Sequence, residues 1–229
     1  MKQLIELEDH ILKKANSEAL LLRETLANVG TLVINVMSSP GSGKTETISA
    51  LSDELRLHGD TVAVLVGDCA TDHDAQRLVS HVDWVEQIVT KGVCHLEPRM
   101  LVPYLPELLA LAPRYLFIEN VGNLVCPVDF DLGESIRVSL LSTTEGEDKP
   151  AKYPDLFRTC DITVISKIDL AEVVEFSELR ARTFLDQVAP NTKTIKVSAR
   201  TKEGVAELAQ AIREVAQRSR GFETSITES

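Results

Sequence analysis

The run "SSPGSGKT" (38–45) places two glycines, a lysine and a hydroxyl residue at the spacing that cradles phosphate. Gly41 and Gly43 permit tight backbone around Ser42, and successive N–H groups there can face an anion. Lys44 would neutralise β/γ-phosphate charge, the Thr45 hydroxyl would bind Mg2+, and Glu46 follows in the first helical turn. Ser38 stands where the usual pattern begins with glycine, but the phosphate nest is made mainly by the later residues. Two carboxylates, Asp68 in "VGDCA" and Glu119 in "FIENVG", each end a strand-like run, so both are expected on the sheet edge facing the phosphate loop as direct or water-mediated Mg2+ ligands.

Gly122 lies three residues beyond Glu119, the acidic-x-x-Gly spacing by which GTPases bring a backbone N–H to the γ-phosphate. "ISKID" (165–169) resembles their guanine-reading NKxD motif, with Ser166 in place of asparagine. Asp169 would accept from guanine N1–H and the exocyclic amine, and the Lys167 stem would cover the base. Losing the asparagine amide removes one or two neutral hydrogen bonds, each worth about 0.5–1.5 kcal/mol. "VSAR" (197–200), about thirty residues later, resembles the element that contacts guanine O6 through main chain, which marks Ser198 and Ala199. No residue identifies itself as the one that positions the attacking water.

A second chemistry is carried by "CHLEPRM" (94–100), where Cys94 adjoins His95, and by Cys126 in a loop seven residues past Glu119. Thiolate and imidazole together suit zinc, nickel or copper far better than magnesium. Three ligands are few for a closed structural site, where four is normal, so a symmetric dimer offering two such sets is an attractive solution. The alternative from composition alone is buried, inert thiols.

These residues need a scaffold, and the chain alternates accordingly. Strand-like runs at 31–37, 61–66, 84–89, 114–119, 137–142, 162–166 and 194–198 are separated mostly by helix-period segments, including one from Lys44 to about Leu57. The pattern predicts an α/β fold with a doubly wound, mostly parallel sheet and function at the carboxyl ends of its strands. Residues 1–29 carry Leu4, Leu7, Ile11, Ala15 and Leu22 at amphipathic spacing, ended by Gly30. Residues 30–220 are expected as one nucleotide-binding unit, "TTEGEDKPAKYP" (143–154) as a polar loop, and 221–229 as a frayed, flexible tail.

Composition narrows the partners. A net charge of −11 over 229 residues disfavours nucleic-acid backbones and anionic membrane surfaces. No uninterrupted apolar stretch reaches about 18 residues and the N-terminus is charged throughout, so a cytoplasmic location is expected. Cys69, Cys94, Cys126 and Cys160 do not form a disulfide framework, and a reducing cytosol would leave them as thiols.

"GDCATDHDAQR" (67–77), "TKGVCHLEPRM" (90–100), "LFIENVGNLVCPVDFDLGE" (116–134) and "TTEGEDKPAKYP" (143–154), in that order after the phosphate loop, resemble the HypB family of hydrogenase nickel-incorporation GTPases over roughly residues 30–200. The resemblance implies a dimerising P-loop metallochaperone GTPase whose Cys94, His95 and Cys126 bind nickel or zinc at the dimer interface. It also gives Asp74 of "DAQR" a switch-region role toward Mg2+ or nucleotide. The histidine-rich and cysteine-rich N-terminal tracts of fuller members are absent here, so nickel storage is not expected, and Glu97-Pro98 replaces a more usual aspartate-alanine.

The combined expectation is a slow GTPase using GTP/GDP, Mg2+ and Ni2+, with Zn2+ as a second candidate metal. It would form a homodimer when GTP orders its switches and deliver nickel, with other maturation proteins, to the large-subunit precursor of a [NiFe] hydrogenase. Two alternatives stay open: a related metal-insertion GTPase serving urease or a cobalamin enzyme, and a nickel- or zinc-binding protein in which GTP is only a conformational ligand. Ser166 also leaves an ATPase open.

Overall fold

The structure, a computed structural model, describes residues 2–68 and 73–226, with side chains from Lys14 onward except those of 73, 216 and 218–226. Cys69 and the side chains of Leu4, Leu7 and Ile11 lie outside the described residues. Seven strands, β1 Leu32–Met37, β2 Val62–Asp68, β3 Trp84–Val89, β4 Tyr115–Glu119, β5 Ile136–Ser142, β6 Ile162–Ser166 and β7 Lys193–Val197, form one sheet in the order β3-β2-β4-β1-β5-β6-β7. All six pairings are parallel. The helices are α1 Lys2–Asn28, α2 Lys44–Leu57, α3 His73–Leu78, α4 Pro98–Leu101, α5 Leu105–Leu111, α6 Lys149–Lys152, α7 Pro154–Arg158, α8 Glu178–Val188 and α9 Val205–Ile226.

Parallel strands buried on both faces need apolar side chains on both, and β1 "LVINVM" is buried at all six positions. Ile34 and Val36 face a core shared with Ile48, Leu51 and Leu55 of α2 and Leu208 and Ile212 of α9. Val33 faces the opposite core, where Leu22 and Leu26 of α1 meet Leu116 and Ile118 of β4 and Leu96. A third cluster, around Met37, Leu141, Phe157 and Leu185, seats α7 and α8. From β1 the chain runs to β2 and β3, returns through β4, and crosses to β5 on the other side. The crevice outside the carboxyl end of β1 is therefore the topological switch point where such sheets bind ligands.

Helix α1 is docked on the sheet. Ala19, Leu22 and Leu26, at spacings of three and four, are buried, and Arg23 grips both oxygens of Asp131 at 2.7 and 2.8 Å. Gly133 lies directly beneath, where a Cβ would come within 2.8 Å of the Ala19 carbonyl.

One expectation changes. The 143–154 segment contains a 3-10 turn, Thr143–Glu145, and then α6, with Pro150 in its first turn where a missing N–H is harmless. Helix α9 is continuous from Val205 to Ile226. No described helix is long and apolar enough to cross a membrane.

Candidate functional site

The phosphate loop leaves β1 and enters α2 through two residues in left-handed backbone, Gly41 at φ 74° and Gly43 at φ 93°, a conformation that favours glycine. Around it lies a cavity of about 480 Å3 whose wall includes Gly41, Gly43, Lys44, Thr45, Glu46, Asp68, Asp74, Glu119, Gly122 and Lys167. Ten of the expected residues thus converge on one space. Ser42 is fully buried behind them, its hydroxyl bonded to that of Ser38.

Glu119 is the chemical centre of the wall. Its Oε1 accepts from the Thr45 hydroxyl at 2.8 Å, while Oε2 is buried with no hydrogen-bond partner among the described residues. Burial pushes its carboxyl up to about 7, against the opposing pull of Lys44 and Thr45. Burial likewise pulls the Lys44 ammonium below its ordinary value, opposed by Glu119, Asp74, Glu145 and Asp68. Burial disfavours the charge on both groups, and Glu119 Oε2 has no hydrogen-bond partner among the described residues. A divalent cation fits the orphan carboxylate oxygen beside the threonine hydroxyl, and phosphate fits the lysine.

The raised carboxyl carries a pH signature. Folded Glu119 binds its proton more tightly than the unfolded chain does, so its stabilising contribution is full below about 4.5 and is lost as pH rises through about 7. Nucleotide-free wild type is expected to lose roughly 2–3 kcal/mol more than Glu119→Gln between pH 5 and pH 8 in urea unfolding. Parallel pH profiles in the two proteins would contradict the burial assignment.

Polar residues not singled out in advance stand in the wall, as Arg77 does, or behind the loops that form it, as Glu145 and Thr143 do. Arg77 of α3 is paired with Glu46 and lies 3.6 Å from Asp74. Glu145 bonds Ser39, and Thr143 donates to the Lys167 carbonyl at 2.8 Å. Arg77 sits in the quoted "DAQR" and could have been found there; Glu145 and Thr143 lie in the segment expected to be a plain loop.

The base-reading loops meet beside the cavity. Asp169 accepts from the Ser198 hydroxyl at 2.7 Å, which joins the "ISKID" and "VSAR" segments, and Ala199 follows in the same turn. Lys167, at φ 58°, donates to the Gly41 carbonyl at 2.6 Å. Ser166 is buried and donates to the Ser42 carbonyl at 2.8 Å, so its hydroxyl braces the phosphate loop. Ser166→Ala removes one neutral bond of about 0.5–1.5 kcal/mol. Titration calorimetry is expected to show GDP affinity falling two- to tenfold, by about that energy, whereas an unchanged affinity would deny the brace a role in binding.

The second cluster lies on loops following β3 and β4. Ligand atoms of Cys94, His95 and Cys126 fall within 4.8 Å of one another, the only such group of histidine, cysteine or carboxylate side chains among the described residues. Cys94 Sγ is 3.8 Å from His95 Nδ1. Phe130 stacks on the imidazole at 3.9 Å and 17°, and Nε2 lies 3.7 Å from Glu97 Oε1. Burial lowers the His95 pKa, which favours the neutral imidazole that binds metal. Asn123 Oδ1 accepts from the Val125 and Cys126 amides at 2.8 and 3.3 Å, shaping the turn that presents Cys126. Cys160 is elsewhere, packed between α7 and α8 with its thiol pushed by burial up to about 12. The described thiols thus divide into a candidate ligand pair and an inert core residue.

A phosphate loop closed by an acidic strand end, with two base-reading loops at its side, makes this a P-loop GTPase. The model of the CobW/HypB/UreG nucleotide-binding domain matches residues 32–196, and the chain belongs to that family, on its HypB branch. It is 42% identical over 205 residues to the hydrogenase maturation factor HypB of Azotobacter vinelandii, covering 90% of this chain and 67% of that protein. The hydrogenase/urease maturation factor HypB of Helicobacter hepaticus is 41% identical over 211 residues, with 90% and 86% covered. Among solved structures, HypB from Helicobacter pylori in complex with nickel superposes with a TM-score of 0.82 at 32% identity, covering 91% of this chain and 96% of that one. HypB from Archaeoglobus fulgidus gives 0.81 at 34%, covering 89% and 98%.

Proposed function

We propose that the protein is a GTP-hydrolysing nickel metallochaperone that binds Ni2+ at Cys94, His95 and Cys126 and releases it for maturation of a [NiFe] hydrogenase. The observation that carries this is the gathering of two thiols and an imidazole within 4.8 Å on loops that continue the strands of the nucleotide site. Glu119 ends β4 at the Thr45 hydroxyl, and Cys126 follows on the same loop.

Lys44 and the loop amides would hold the β- and γ-phosphates, with Asp169 selecting guanine and Ser198 and Ala199 lining the base side. Mg2+ would be held by Thr45 and Glu119, with Asp68 and Asp74 in reach directly or through water. It supplies charge neutralisation at the phosphates. Chemically the chain need only orient the reactants and stabilise phosphoryl charge. Gly122 abuts the phosphate loop: a Cβ there would lie 2.9 Å from Pro40 N and Cα. Contact of its amide with γ-phosphate would be lost on hydrolysis, releasing the loop that carries Cys126.

Three ligands with surface access favour a homodimer that pools two sets, formed when GTP orders the switches. Cytoplasmic location, cooperation with other maturation proteins and transfer to a hydrogenase large-subunit precursor complete the proposal. The test is a chase of nickel-loaded protein with a chromogenic chelator. Nickel release should follow GTP hydrolysis and stall with a non-hydrolysable analogue; equal release with both would leave GTP a conformational ligand only. Because one relative is named for hydrogenase and urease together, apo-precursors of both are the clients to compare.

A further inference from the structure

Strand periodicity calls for apolar side chains on the α1-facing side of the sheet, yet three neighbouring strands place polar ones there. Asn35 is fully buried at the centre of β1, between Val33 and Met37, and Arg137 of β5 is its direct register partner. Asn120, 1% exposed, follows the last residue of β4, and its amide donates to the Val36 carbonyl. A buried polar row in an otherwise apolar layer departs from what stability alone would select.

The hydrogen bonds of the row run from one candidate site to the other. Asn120 Oδ1 accepts from two backbone amides: Val121, on the way to Gly122, at 3.0 Å, and Leu96, directly after His95, at 3.3 Å. Two N–H donors fix the orientation of the amide, so Nδ2 must donate elsewhere, and it does so to Asn35 Oδ1 at 3.2 Å. Asn35 Nδ2 then faces Glu134 Oε1 at 3.4 Å, which also takes Arg137 Nε at 2.5 Å. The Arg137 guanidinium ends on the carbonyls of Val128 and of Phe130, the residue stacked on His95, at 3.1 and 3.2 Å. Leu96 is itself wedged against Gly67, next to Asp68, where a Cβ would come within 2.8 Å of it.

We infer that Asn120 is a positioning residue that ties the backbone of the Cys94–His95 loop to the Glu119–Gly122 turn, and thereby makes metal affinity depend on the bound nucleotide. The inference rests on the proposed metallochaperone function and names the residue through which its two sites communicate. Asn35 and Asn120 are 0% and 1% exposed, so the bond between their side chains is shielded from solvent and holds the Asn120 amide in place. A shift of the Val121 amide at the edge of the cavity therefore pulls on the Asn120 oxygen and on the Leu96 amide that shares it. No other described side chain accepts from both segments.

The test compares Ni2+ affinity of wild type and Asn120→Ala at saturating GDP and at saturating non-hydrolysable GTP analogue, so that altered nucleotide affinity drops out. The wild-type ratio is expected in the five- to 150-fold range of ordinary allosteric coupling. In Asn120→Ala the ratio should collapse to within about twofold of unity, a change that simple loss of a metal ligand would not produce. A ratio retained in the variant overturns the inference and leaves the metallochaperone standing. A wild-type ratio of one removes nucleotide control and this inference with it. Amide exchange at Leu96 in unmutated protein gives a second reading that needs no variant. Protection that differs between GDP and the analogue supports the link, and identical protection refutes it.

Discussion

Lys44→Ala is expected to lower GTP turnover by at least about 10^2–10^3-fold, the loss measured when one preorganised donor to developing charge is removed. The lysine is 8% exposed beside Glu119, Asp74 and Asp68, a site where its charge is uncompensated by water and therefore acts strongly on phosphate. Neither nearby cation can replace it. Lys167 is spent on the Gly41 carbonyl at 2.6 Å, and Arg77 is held by Glu46 and Asp74. Single-turnover hydrolysis with wild-type and variant protein checks this, and retained turnover would remove the phosphate-site assignment.

Cys94→Ala and Cys126→Ala should each weaken Ni2+ or Zn2+ binding by at least about 100-fold, since loss of an outer-shell partner alone costs 10–100-fold. Each removes one of three donors, and the remaining pair cannot complete a coordination sphere. Cys160→Ala should leave metal affinity unchanged, because that thiol is pushed to about 12 in the core and is no ligand. Competition titration against a chelator of known affinity distinguishes the three. Equal weakening in all of them would mean that the cysteines act through the fold and not by coordination.

Most of the scaffold was readable because its physics is local. The central strands are short runs dominated by β-branched and aliphatic residues, and α2 begins and ends at Lys44 and Leu57 because the phosphate loop ends there and Gly59 follows. The phosphate site was readable for the same reason, since a nest needs its glycines at fixed positions. The features that escaped depend on long-range contact. Nothing local says that the short Ser166 side chain would reach the Ser42 carbonyl 124 residues away, so in the sequence it stands only as a departure from the asparagine of the guanine-reading motif. The 143–154 segment is polar enough to pass for a loop, yet Thr143 and Glu145 brace the nucleotide loops from it. Asn35 was visible as an asparagine inside "TLVINVM", but its partners Asn120, Glu134 and Arg137 become neighbours only when β4, β1 and β5 pair.

If nucleotide and metal sites share one conformational equilibrium, as proposed above, thermodynamic linkage makes their coupling directly measurable. The decisive experiment is a closed binding cycle: affinity for a non-hydrolysable GTP analogue with and without Ni2+, and affinity for Ni2+ with and without the analogue, on the same protein. Each ligand is expected to change the other's affinity by the same factor, different from one, and Cys94→Ala is expected to erase that factor. A factor of one on both arms, with each ligand bound normally, would contradict it and leave a GTPase that merely carries a metal.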